Sequence, residues 1–213
     1  MRTPIMKMVS LAILMLLLVS CSTVSVVDTW RAPDLGGRKF HKLLVVNVTR
    51  NGTIRQVNED VLAAELAAHG VAAVPSHTVL VSAYGPDRKA LAGAVAASGA
   101  DGVLTIQLVN RERRTDVEPG YTSGYPGGYP GYWPPADYYS WDLYNYYGSG
   151  IFYEPPVVRT YEVATIQVSL FDAASSRLLW AVTTETAEPG RTLAIGKELA
   201  KIVISRLMKA GLI

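Results

Sequence analysis

The sequence predicts an α/β (α+β) domain with helices packed on a mixed sheet. Three observations carry this. Leu43 to Val48 is an apolar, β-branched run, interrupted only by Asn47, of the kind that fills a strand buried on both faces. Helical apolar spacing alternates with strand patterns up to residue 109, which gives the order β-α-β-α-β. A strand, a turn and a returning strand then follow, with a last helix behind them.

In chain order, residues 1–20 carry Arg2 and Lys7 ahead of the apolar run Val9 to Val19. That is the layout of a secretory signal. The run is shorter than the roughly 20 residues that a membrane-spanning helix needs. Residues 21–42 read as a tether and lead-in, broken at Pro33 and Gly36-Gly37, with Trp30 expected to cover one edge of the core. Residues 43–213 read as one domain with a single core.

Within that domain, Arg50-Asn51-Gly52-Thr53 reads as a turn. A helix is expected over 57–69, capped by Asn58, with Glu59 and Asp60 in its first turn and Leu62 and Leu66 on its apolar face. Gly70 stops it, and a short strand runs over 71–74 to Pro75. Asp87 caps a second helix with Leu91 and Val95 on its inner face, ended by Gly99. Strands are expected over 101–109, 157–171 and 177–183. Thr192 caps a final helix whose inner face is Ile195, Leu199, Ile202, Val203 and Leu207, and Gly211 ends it.

Residues 118–156 are a different material. Ten of the 12 tyrosines, seven of the 12 prolines and two of the four tryptophans fall between Pro119 and Pro156, so this low-complexity insert is expected to lie outside the core. Its aromatic side chains are the candidate binding residues: Tyr125, Tyr129, Tyr132, Trp133, Tyr138, Tyr139 and Trp141. Tyr and Trp combine a flat apolar ring with a polar handle and dominate interface energetics. A solvated excursion is the alternative for this segment.

Composition narrows the function further. The chain has 20 basic and 18 acidic residues; without Arg2 and Lys7 the balance is 18 to 18, so the domain after residue 20 is formally neutral. No global charge recruits nucleic acid. Arg38, Lys39 and Lys42 with His41 read as a solvated basic segment. Cys21 is the only cysteine, so an intramolecular disulfide is excluded.

Catalytic and metal-binding patterns are not found in the sequence. His41, His69 and His77 have no partners at ligand spacing. Ser76-His77, with Ser82 nearby, lacks the Gly-x-Ser-x-Gly elbow of a nucleophile. Glu59, Asp60 and Glu65 could offer paired carboxylates, but Glu59 and Asp60 are sequence neighbours that point different ways on a helix, and their capping use explains them. Gly120 to Gly131 lacks the Gly-Lys-Ser/Thr ending of a phosphate loop. Asn47-Val48-Thr49 and Asn51-Gly52-Thr53 fit the glycosylation pattern, to which no role is assigned. No enzyme activity and no cofactor are expected.

Leu18-Val19-Ser20-Cys21 resembles the lipobox of bacterial lipoproteins. The resemblance implies cleavage before Cys21 and lipidation of Cys21. Each buried CH₂ contributes about 0.8 kcal/mol, one acyl chain anchors only marginally, and several anchor stably. Ser22 in place of Asp implies, by the same resemblance, the outer membrane and its periplasmic face. A second resemblance rests on Leu43 to Val48, on Ala100-Asp101-Gly102-Val103-Leu104 and on Leu170 to Trp180. These stretches are similar to the domain shared by curli secretion-channel lipoproteins, penicillin-binding-protein activator lipoproteins and the Tol N-terminal domain. That resemblance implies an envelope interaction or assembly factor without a catalytic centre. The partners expected are the membrane, through the lipid, and an envelope protein. The alternative is a peptidoglycan- or polysaccharide-binding module acting through the tyrosine-rich segment. The oligomeric state stays open, since an edge strand could pair between subunits.

Overall fold

The computed structural model describes residues 23–81, 88–123, 152–187 and 192–213. The apolar run forms β2 (Lys42–Val48) as expected, and five further strands join it in a mixed sheet. The elements are β1 (Val24–Arg31), β2, α1 (Gly52–Ala68), β3 (Ala72–Pro75), a 3₁₀ turn (Ser76–Thr78) and α2 (Arg88–Ser98). After them come β4 (Gly102–Glu118), β5 (Tyr121–Ser123), β6 (Phe152–Glu154), β7 (Val157–Asp172), β8 (Leu178–Thr186) and α3 (Thr192–Lys209).

The sheet order is β1-β8-β7-β4-β2-β3. β2 runs parallel to β3 and β4, whereas β8 is antiparallel to both β7 and β1. Thr105 reaches Ser169 and Thr115 reaches Thr160, so β4 and β7 also run antiparallel. Chain contacts divide the protein into two units, Met1–Glu112 with Glu162–Ile213, and Arg113–Tyr161.

In the first unit, alternate residues of β2 enter two cores. Leu43 and Val45 join Leu62 and Leu66 of α1, Val203 and Leu207 of α3, and Trp180 in the larger core. Leu44 and Val46 meet Val103, with Val95 of α2 and Phe171 packed against them. Both faces of β2 are buried, which is why its sequence shows no polar alternation.

Four details differ from the sequence reading. The stretch read as a tether supplies an edge strand, β1, paired with β8 and bulged between Val26 and Asp28. Beyond it Ala32, Leu35 and Phe40 are buried in the larger core, because the main-chain N–H groups of Ala32 and Phe40 donate to Leu179 and Leu212. Trp30 stays 45% exposed on the edge strand. Arg38 is not simply solvated either: it pairs with Asp172 and lies 5.3 Å over the Phe40 ring.

Third, α1 begins a turn and a half earlier than its apolar spacing indicates. Asn51, not Asn58, is the cap, its side chain accepting from Ile54 N–H at 3.0 Å. Fourth, β4 continues to Glu118, well past residue 109, with mostly exposed side chains. Gly70 and Gly211 end α1 and α3 as expected, at φ +82° and +68°. At each, the next residue's N–H bonds five residues back, Val71 to Leu66 and Leu212 to Leu207.

Candidate functional site

Arg55, Glu59, Leu62 and Leu66 share the buried face of α1, at helical spacing. The first two therefore carry charge into the interior, where an unpaired ion is costly. Every charged atom is answered. Glu59 Oε1 accepts from Asn47 N–H at 2.9 Å, Arg55 Nε at 3.1 Å and Ser76 Oγ at 2.6 Å. Its Oε2 accepts from His77 N–H at 2.7 Å. The Arg55 guanidinium donates to the Leu80 and Val81 carbonyls at 2.7 and 3.1 Å and to Ser76 Oγ at 2.9 Å.

This arrangement locks α1 onto β2 and onto the turn after β3. Ser76 is fully buried and its hydroxyl proton goes to Glu59. The neighbouring His77 ring turns away from it, placing Nε2 2.7 Å from Asp60 Oδ1. The Ser76 and His77 side chains thus serve two different carboxylates and form no nucleophile–base pair. Sequence reasoning assigned Glu59 to a helix cap; its real role follows from the buried face it shares with Leu62.

A second polar cluster lies at the loops that the resemblance singled out. Asp101 accepts from His41 and Lys42 N–H at 2.8 and 3.1 Å, fastening the start of β2 to that of β4. Gly102 follows because a Cβ there would stand 2.6 Å from Phe40 and 2.8 Å from Leu43. In the β7–β8 turn, Asp172 accepts from Ser175 N–H at 3.1 Å and pairs with Arg38. Burial pushes the Asp172 carboxyl up, but the Ser175 hydrogen bonds and the Arg38 charge hold it below the usual range. Arg177 donates to Asp34 at 2.8 Å, and that hydrogen bond lowers the Asp34 carboxyl and raises the guanidinium. The Asp-Gly and Asp-Ala-Ala-Ser-Ser motifs are thus joints between loops and strand ends.

The other histidines are dispersed. His41 Nδ1 stands 3.5 Å from Asp101 Oδ2, and His69 Nδ1 stands 2.9 Å from the Glu65 carbonyl. Among the described residues no group of three His, Cys, Asp or Glu side chains could hold a metal ion. Cys21, Tyr125, Tyr129, Tyr132, Trp133, Tyr138, Tyr139 and Trp141 lie outside the described residues.

The second unit is described at its paired strands. Thr115 and Thr160 hydroxyls meet at 3.3 Å, and Arg159 donates to Glu118 at 3.5 Å. β5 and β6 then pair antiparallel, with Tyr121 opposite Glu154 and Ser123 opposite Phe152. The tyrosine-rich segment 124–151 therefore starts and ends at adjacent strands.

No family model matches the chain, and no curated protein matches it. Among solved structures, the PelC dodecamer from Paraburkholderia phytofirmans is similar at 15% identity and a TM-score of 0.42, over 86% of this chain and 96% of that one. Lipoprotein GNA1162 from Neisseria meningitidis is similar at 13% identity and a TM-score of 0.40, over 79% of this chain and 98% of that one.

Proposed function

We propose that the chain is a lipid-anchored, non-enzymatic protein of the bacterial envelope, facing the periplasm from the outer membrane, that presents its tyrosine-rich segment to an envelope partner. The signal-like start and Cys21 support the anchor. The β5–β6 pairing carries the interaction reading. By holding both ends of segment 124–151 together it removes part of the loop-closure entropy that docking would otherwise cost. The rings of Tyr132 and Trp133 then offer amphipathic contact area to a protein surface. The buried carboxylate–guanidinium cluster of α1 belongs to the scaffold, since each of its polar groups is engaged inside the fold.

Photo-crosslinking in cells from position 132, with the product identified by mass spectrometry, tests the interaction. One crosslinked envelope protein is the expected product. A glycan adduct alone would replace the protein partner with the cell-wall reading, and no adduct would reduce the segment to a spacer. Fractionation of Cys21→Ala tests the anchor: an unchanged mature mass in the membrane fraction would overturn it.

A further inference from the structure

The start of the described domain is fastened to α3. Thr23 N–H and Oγ1 donate to Glu198 Oε2 at 3.1 and 2.7 Å, and Val24 N–H donates to Oε1 at 3.3 Å. Cys21 is two residues upstream of Thr23, so chain geometry limits their separation to about 7 Å. A lipid on Cys21 would be attached two residues before the point at which the chain is fastened to Glu198 of α3.

The solvent-facing side of α3 has the composition of a helix that rests on lipid. Lys197, Lys201 and Lys209 are exposed, and none has a carboxylate partner among the described residues. Glu198 is the one acid in α3, and it is committed to Thr23 and Val24. Leu193 and Met208 are exposed on the same helix at 52% and 53%. From α1, Glu65 and His69 line the groove beside Lys201, Ser205, Met208 and Lys209, so Glu65 is the acid of that groove. Cationic stems flanked by apolar side chains suit an interface of anionic headgroups and acyl chains.

We infer that α3 lies on the surface of the membrane that holds the anchor. Lys197, Lys201 and Lys209 meet the phosphates of anionic phospholipids, and Leu193 and Met208 enter between the headgroups. The inference rests on lipidation of Cys21 and deepens it: the acyl chains hold the protein at the bilayer, and α3 sets which face lies down. Two features commit this face to lipid over protein. It lies on the helix whose Glu198 holds Thr23, two residues after Cys21, and its charge complements an anionic leaflet.

The test uses the full chain purified from membranes, with the mass of its N-terminal peptide read first. The protein is placed in vesicles of phosphatidylethanolamine with phosphatidylglycerol, or of phosphatidylcholine alone. Amine acetylation is then followed at each lysine. An acylated Cys21 is expected, with Lys197, Lys201 and Lys209 labelled at least about fivefold more slowly on the anionic vesicles, the factor that one surface lysine contributes. Lys89 of α2 should react equally on both. Met208 should oxidise more slowly on the anionic vesicles, and a Lys197→Gln, Lys201→Gln, Lys209→Gln variant should lose that protection. Equal rates for the three lysines with an acylated Cys21 would overturn the surface alone. An unmodified Cys21 would overturn the anchor and the surface together.

Discussion

The Ser76 hydroxyl donates to Glu59 Oε1 at 2.6 Å, across 17 residues of chain, and closes the turn after β3 against α1. Both residues are fully buried. The bond is short because its acceptor is charged. It is stable because Arg55, one helical turn before Glu59, balances the carboxylate from the same face.

Removing that charge should therefore cost more than removing the hydroxyl. Glu59→Ala leaves the Arg55 guanidinium buried without its counter-ion and is expected to destabilise the domain by about 3–5 kcal/mol. Ser76→Ala should cost about 1–3 kcal/mol. Urea unfolding of both variants checks the order. A Glu59→Ala variant as stable as the parent would show that the cluster contributes nothing to stability.

Gly102 is set by its neighbours. A methyl group there would press on the Phe40 ring and on Leu43, both buried. Gly102→Ala should lower stability by about 1–3 kcal/mol, the usual cost of overpacking. Adding Phe40→Leu should recover part of the loss if the clash is the cause. Thermal unfolding of the single and double variants separates these outcomes.

Two carboxyls make stability depend on acid. Asp34 and Asp172 both sit below their ordinary value of 3.8 in the folded protein. A depressed folded value means that the unfolded chain takes up protons first as pH falls. Their contribution is present above 3.8 and is lost as pH drops through the lowered values. Denaturation midpoints measured from pH 6 down to about pH 2 should fall less steeply for Asp172→Asn than for the parent. Parallel curves would mean that Asp172 does not carry the linkage.

The tyrosine-rich segment should be dispensable for folding. Deleting residues 124–151 and joining Ser123 to Phe152 with a short Gly-Asn turn leaves β5 and β6 able to pair as a hairpin. The shortened protein is expected to unfold cooperatively, with the midpoint of the parent. A broad, non-cooperative transition would show that the segment supports the core.

Some of these elements could be read in the chain and others could not, for identifiable reasons. Leu43 to Val48 announced a buried strand because a strand covered on both faces carries apolar residues on both sides of its pleat. The helix stops at Gly70 and Gly211 were visible because a positive φ favours glycine. The start of α1 was missed because its first buried turns present Arg55 and Glu59, and polar side chains on an inner face break the apolar spacing. β1 was missed because an edge strand buries little: only Val24 in it is fully enclosed. The length of β4 was missed for the same reason, since its second half pairs through its backbone and leaves its side chains to solvent.

Apolar periodicity and glycine placement, both local properties, were enough to establish the alternation of elements and the mixed α/β class. Long-range contact decided the rest. Glu59 became a buried lock because Ser76 and His77 are brought to it, and Thr23 became fixed because Glu198, 175 residues away, reaches its backbone. A side chain's neighbours depend on how distant strands pair, and that pairing is set by the packing of the whole sheet, which no short window of sequence contains.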